Sequence, residues 1–199
     1  MVKKISVLIA ILFLVTGCAG MSSGISVGDK DVKSTQIQGV VDEILAARKS
    51  VDTAGMELIE GKQLLRNQAQ FAVIRILFNQ IAVDKNFTIT DSDVAARRGE
   101  VINQIGGSDR LGSALVSANL AESTFDDYLR ILIIVDRLNE NFISSGIPEV
   151  LASQEVSKTL VATANKLGVE VNPKYGTWNP VTAAIEASDV TDGAVTPLP

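Results

Sequence analysis

The sequence predicts a mainly α-helical domain: several helices, one of them long, with a short β-hairpin or strand pair near the termini. Three observations lead there. Aliphatic residues recur at three- and four-residue spacing through most of residues 35–167. Ser, Thr or Asp stands where such stretches begin, and Gly or Asn where they end. Alternating, strand-like patterns are confined to residues 27–32 and 169–171. Hydrophobic residues make up 46% of the chain and aromatic ones 5%, so a sizeable core can form and it must be aliphatic.

Each element has its own signature. In residues 27–32, VGDKDV, the Gly28-Asp29 pair suits a two-residue hairpin loop between short extended pieces. Thr35 with Gln38 can form a capping box, after which Ile37, Val40, Val41, Ile44 and Leu45 mark one helical face. The long helix spans residues 61–86. Its apolar residues, from Leu64 through Phe71, Ile76 and Phe78 to Val83, cover much of its circumference, so it is packed on more than one side. Thr90 caps the next helix, with Asp91 and Asp93 in the first turn, where the dipole favours anions. Val94, Val101, Ile102 and Ile105 form its inner face, and Gly106-Gly107 stops it.

Ser108 caps a short helix carrying Leu111, Ala114 and Leu115, which ends at Asn119. Ser123 or Thr124 caps the following one, with Asp126 and Asp127 early in it. Its inner face runs Tyr128, Leu129, Leu132, Val135, Leu138 and Phe142, to about Ser145. A last helix covers residues 149–167. Trp178, the only tryptophan, lies among turn residues, and residues 179–199 read as a loose acidic tail.

The charge balance and the missing residue types exclude several functions. Lys and Arg number 18 against 23 Asp and Glu, a net charge of -5. Without residues 1–17, which hold Lys3 and Lys4, the counts are 16 and 23, or -7. Nucleic acid is a poor partner for such a chain, since phosphate binding needs clustered cations. With no histidine and one cysteine there is no imidazole relay, no disulfide and no thiolate metal cage. No cofactor or metal is expected. The carboxylate pairs Asp91/Asp93 and Asp126/Asp127 are explained by capping rather than by acid–base catalysis. Arg97-Arg98 reads as a solvated face.

The single cysteine has a different use. Lys3 and Lys4 precede an apolar run at residues 5–15, too short for the roughly 20 residues that span a bilayer. Residues 1–17 therefore read as a signal peptide. Val15-Thr16-Gly17-Cys18 resembles the lipobox of bacterial lipoproteins. Cys18 is then the lipidation site, and stable anchoring takes two or more acyl chains. Residues 18–26 follow as a Gly- and Ser-rich flexible tether. The expected location is extracytoplasmic, held to the bacterial cell membrane by lipid.

Residues 27–178 carry a second resemblance. The early Gly-Asp turn, GKQLLRNQAQFAVIRILFNQIA, TITDSDV, a helix ending Ile-Gly-Gly107, NLAESTFDDYLRILIIVDRL and the closing GVEVNPKYGTW occur in this order. Together they resemble the N-terminal chaperone domain of the SurA/PrsA family, extracytoplasmic folding factors of bacteria. The lipid-anchored form looks most like members from high-GC Gram-positive bacteria. Many members insert a parvulin prolyl isomerase domain before the last helix. Here only a few residues separate Phe142 from the last helix, and the histidines of parvulin sites are missing.

The resemblance implies a chaperone module without the isomerase, so not an enzyme. It implies an open helical body whose apolar grooves hold unfolded or exported polypeptides without ATP. The rings expected to touch such a client are Phe71, Phe78, Tyr128, Tyr175 and Trp178, because large amphipathic side chains dominate interface energetics. Each has a plain structural role as well: the helical aromatics as core, and Trp178 as the pin of the returning segment. The competing function is a structural or adaptor lipoprotein that recognises one specific cell-envelope partner.

Overall fold

A computed structural model describes residues 23–188. The expected signal peptide, Cys18 and the end of the tail lie outside the described residues. The order of elements is β1 (Ser23–Val27), β2 (Lys30–Lys33), α1 (Ser34–Ala47), α2 (Gly61–Asp84), α3 (Asp91–Gln104), α4 (Leu111–Ser117), α5 (Phe125–Ser144), α6 (Glu149–Leu167), β3 (Val169–Val171), β4 (Thr177–Asn179) and β5 (Ala184–Glu186). With 65% of the described residues helical, the mainly α class expected from the sequence is the class observed.

The strands join the two ends of the described chain. β1 and β2 form the expected hairpin, with Val27 opposite Lys30 across Gly28-Asp29. β3 pairs antiparallel with the other edge of β1, Ile25 opposite Val171, so the sheet order is β2-β1-β3. This sheet corrects the expected tether, which was drawn to residue 26. Ile25 and Val27 are buried, and the chain is strand from Ser23 onward. Composition hid it: Gly24 looks like linker, yet it sits at an irregularity in the register. A Cβ there would come within 2.9 Å of both Ile37 Cδ1 and the Val32 carbonyl oxygen.

Helix ends follow local capping chemistry, with one shift. β2 runs directly into α1, so the helix starts at Ser34 and the Gln36 side chain accepts from the Lys33 backbone N–H at 2.9 Å. The expected Thr35–Gln38 box is not used, and Gln38 instead bonds Asp42 at 2.8 Å. Thr90 caps α3 as expected, and Asp93, expected as a first-turn anion, also completes a reciprocal box with it, at 3.1 and 2.8 Å. At the other end of α3, Gly107 N–H reaches the Ile102 carbonyl (2.8 Å) and Gly106 N–H that of Asn103 (3.1 Å). This is a Schellman stop.

α2 is buried on more than one side, as its sequence requires. Ala69, Val73, Ile76 and Leu77 pack against β1, β2, α1, α6 and the β4–β5 hairpin. Phe78, Ile81 and Ala82 pack against α5 and α6. A separate cluster of Val94, Leu115, Phe125, Leu129 and Ile133 joins α3, α4 and α5. Arg97 and Arg98 are not merely solvated: Arg97 pairs with Asp136, and Arg98 with Asp126 at 2.7 Å, tying α3 to α5. Such half-exposed pairs are worth about 0–1 kcal/mol each, so they fix orientation more than they stabilise.

The residues after Trp178 also depart from expectation. β4 and β5 form an antiparallel hairpin with Trp178 opposite Ile185. Ala183 and Ile185 are buried, so at least up to Ser188 the segment is part of the fold rather than a loose tail. The Gln70 side chain supplies the tie. Its Nε2 donates to the Ala183 carbonyl (2.9 Å) and its Oε1 accepts from Ile185 N–H (2.6 Å), so one glutamine meets an acceptor and a donor along the edge of β5 that β4 does not pair. Gly176 is required where the turn folds back. A Cβ there would lie 2.0 Å from the Glu186 carbonyl oxygen.

Candidate functional site

A groove of about 460 Å³ opens between α2, α3, α4 and the start of α5. Its walls are Phe71 from α2, Val101 and Ile105 from the end of α3, Leu111 and Leu115 from the short helix, and Phe125 and Tyr128 from α5. The reason is geometric. Of α3, only Val94 is buried; farther along, Val101 packs against the edge of the cluster shared with α4 and α5, Ile105 lies outside that cluster, and both are half-buried. Their helical spacing continues past the end of the shared core, so part of the aliphatic face is left open to the groove.

The far wall is set by one polar hub. Asn119 closes α4 in the left-handed region, φ 54, with Leu120 N–H bonded to the Leu115 carbonyl at 3.0 Å. Its side-chain oxygen accepts from Ile59 N–H (3.2 Å) and from Arg48 Nη2 (2.7 Å). The same guanidinium nitrogen donates to the Ile59 carbonyl at 2.7 Å. The loop before α2 is thereby held against the end of α4, and Ile59 joins the groove lining.

Gln68 is the one polar residue of the lining that is nearly fully buried, at 6% exposure. Its Nε2 donates to the Asn119 carbonyl at 3.0 Å, while its Oε1 has no hydrogen-bond partner among the described residues. An unmet buried acceptor costs about 1–3 kcal/mol. The groove therefore pairs an apolar lining with a single acceptor in want of a donor.

Charge is kept at the rim. Arg98 lies over the Phe125 ring, 4.6 Å from its centroid, and pairs with Asp126. Asp127 pairs with Arg75 at 2.7 Å. The two aspartates expected to be first-turn anions of α5 thus also connect it to α3 and α2. Asp93 is held below its ordinary value of 3.8, first by the Thr90 backbone N–H and then by the Thr90 hydroxyl, with Arg137 adding to it. No carboxylate, amine, imidazole or thiol lines the groove. Among the described residues there is no group of three or more His, Cys, Asp or Glu that could hold a metal ion. No described helix is long and apolar enough to cross a membrane.

The five rings expected to meet a client are not brought together. Phe71 and Tyr128 line the groove, and Tyr128 is 38% exposed rather than on the inner face of its helix. That inner face is instead taken by Leu129, Ile131, Ile133, Ile134 and Leu138. Phe78, 6% exposed, is core between α2 and α5, and Tyr175, 2% exposed, is core beside the sheet. Trp178 packs against the sheet-side core and sits opposite Ile185, the pin position foreseen for it. Neither Phe78, Tyr175 nor Trp178 lines the groove. Sequence reasoning missed Gln68, Asn119 and Phe125. The available signal was a glutamine inside an aliphatic helix stretch, an asparagine at a helix stop and a phenylalanine directly after a capping run.

Comparison of the chain with protein-family models, with curated proteins and with solved structures gives no match.

Proposed function

We propose that this chain is a membrane-anchored, ATP-independent extracytoplasmic chaperone that holds unfolded exported polypeptides, without isomerase activity. The observation that carries the proposal is the accessible groove of about 460 Å³ with its aliphatic and aromatic lining. A groove of that make-up, without catalytic groups, suits the burial of apolar side chains from many sequences. The driving force is about 25 cal/mol per Å² of apolar area removed from water, less ordering costs, which makes for weak and reversible holding. The lipobox-like run ending at Cys18 and the resemblance to the SurA/PrsA chaperone domain support a location outside the cell at the membrane.

The test uses residues 19–199 mixed with an aggregating client and, separately, with a prolyl test peptide. Suppressed aggregation that is lost in Tyr128→Asp, with folding intact by circular dichroism, supports holding in the groove. Unchanged aggregation speaks for an adaptor with one specific partner, and accelerated prolyl exchange would contradict the non-enzymatic part of the reading. For the anchor, Cys18→Ala is expected to leave the membrane fraction; unchanged fractionation contradicts it.

A further inference from the structure

A second hollow, of about 290 Å³, lies beside the first two turns of α2, where Lys62 and Arg66 meet Pro173, Lys174 and Tyr175. Three cations line it and no carboxylate does. None of the three has a carboxylate within ion-pair distance among the described residues, whereas Arg75, Arg97, Arg98, Arg130 and Arg137 each have one. The cations are not simply spread over a solvated face. Arg66 Nε and the Tyr175 hydroxyl are both buried without a hydrogen-bond partner among the described residues. Lys174 Nζ sits 4.9 Å from the Tyr175 ring centroid, which keeps the ammonium at the hollow's edge.

The rim is built rather than loose. Asn172 helps close it: Lys174 N–H donates to the Asn172 side-chain oxygen (3.1 Å), Tyr175 N–H to its carbonyl (2.9 Å), and its own N–H to the Gly24 carbonyl (2.9 Å). Gly176 N–H adds a bond to the Pro173 carbonyl at 3.2 Å. Two lining residues that each carry an unmet donor, with two lysines beside them, ask for a ligand rich in acceptors and negative charge. A guanidinium fork with lysines beside it matches a phosphate group.

Its place in the fold identifies the source of that phosphate. The bond from Asn172 to Gly24 puts this rim next to the point where residues 1–22 join the domain. Five residue steps separate Cys18 from Ser23, at most about 18 Å of extended chain. From this geometry we infer that the hollow takes the phosphate of an anionic phospholipid headgroup, with Arg66 and Tyr175 as donors and Lys62 and Lys174 as flanking charges. This rests on the membrane-anchored reading above. The domain would then be held to the bilayer at two points, the acylated cysteine and the headgroup site, which fixes how it stands on the surface.

The full chain is reconstituted in nanodiscs of phosphatidylcholine, with or without added phosphatidylglycerol, and lysine acylation is followed by mass spectrometry. Lys62 and Lys174 are expected to react about fivefold more slowly in the anionic discs, with Lys49 and Lys85 as unchanged controls. Arg66→Ala is expected to remove the protection. Should that variant misfold, Lys174→Ala, at an exposed position, is expected to lower the protection of Lys62 instead. Equal rates in the two discs overturn the site. So does equal protection in both, which would mean that the chain covers the hollow itself, for example with the acidic stretch after Ser188. Protection by inorganic phosphate in neutral discs as strong as by the lipid would overturn the headgroup as ligand. A failed anchor gives a different pattern, unchanged fractionation of Cys18→Ala, and is read apart from these rates.

Discussion

The two long sides of α2 meet very different surroundings. On one, Ala69, Val73 and Leu77 are sealed by the sheet, α1, α6 and the β4–β5 hairpin, and even the polar Gln70 spends both its amide groups on that hairpin. On the other, Gln68 and Phe71 look onto a groove, and the Gln68 acceptor goes unmet. The residues are of one kind in both places, aliphatic with a few aromatics. What differs is the number of layers available. The sealed side has sheet, helix and hairpin to close it, while the open side has only the end of α3, the short α4 and the first turn of α5 around it. Openness here is a matter of missing partners, not of a special lining, and the comparison can be broken from either side.

The largest effect is expected on the sealed side. Leu77→Ala removes a side chain with no exposure and should cost about 2–5 kcal/mol in urea unfolding, whereas Ile105→Ala in the groove should cost under about 1 kcal/mol. Equal costs would erase the distinction between the two sides. Next comes Gln70→Ala, which strands the Ala183 carbonyl and the Ile185 N–H. About 2 kcal/mol is expected, together with faster amide exchange at Ile185, if the glutamine is the tie that closes this face. Asn119→Gly keeps the left-handed backbone but removes the hub oxygen. A loss of about 1–2 kcal/mol is expected, with weaker client holding because the loop wall at Ile59 is released.

Thr90→Ala should cost about 1 kcal/mol through the lost cap of α3. The smallest effect concerns pH. Because the folded-state value of Asp93 lies below its ordinary 3.8, its contribution is present above that value and is lost as pH falls through the folded one. Asp93→Asn should therefore flatten the acid limb of a stability-against-pH curve. An unchanged acid limb would show that the cap carries no charge dependence.

What was legible in the sequence was what local chemistry decides. Thr90 with Asp93, the Gly106-Gly107 stop and the bounds Glu149–Leu167 of α6 follow from residues a few positions apart. The strands at either end were harder. The stretch 23–26 reads as linker until β3, more than a hundred residues later, comes to lie beside β1. Ile185 reads as tail until Gln70 meets it. The groove is illegible for a related reason. Val101 and Ile105 have the spacing of an inner face, and spacing does not say whether anything lies opposite. Phe71 and Tyr128 lie along the groove, but the same argument also picked Phe78 and Tyr175, which the packing of α5 and of the sheet buries.

The central claim, that unfolded chains are held in the groove between α2, α4 and α5, is tested most directly by site-specific crosslinking. A photoreactive residue is placed at Tyr128, and for comparison at Val83, which is 68% exposed and does not line the groove. With an unfolded client present, abundant adducts at position 128 and few at position 83 are predicted. Equal yields at the two positions, or adducts only at 83, would contradict the account.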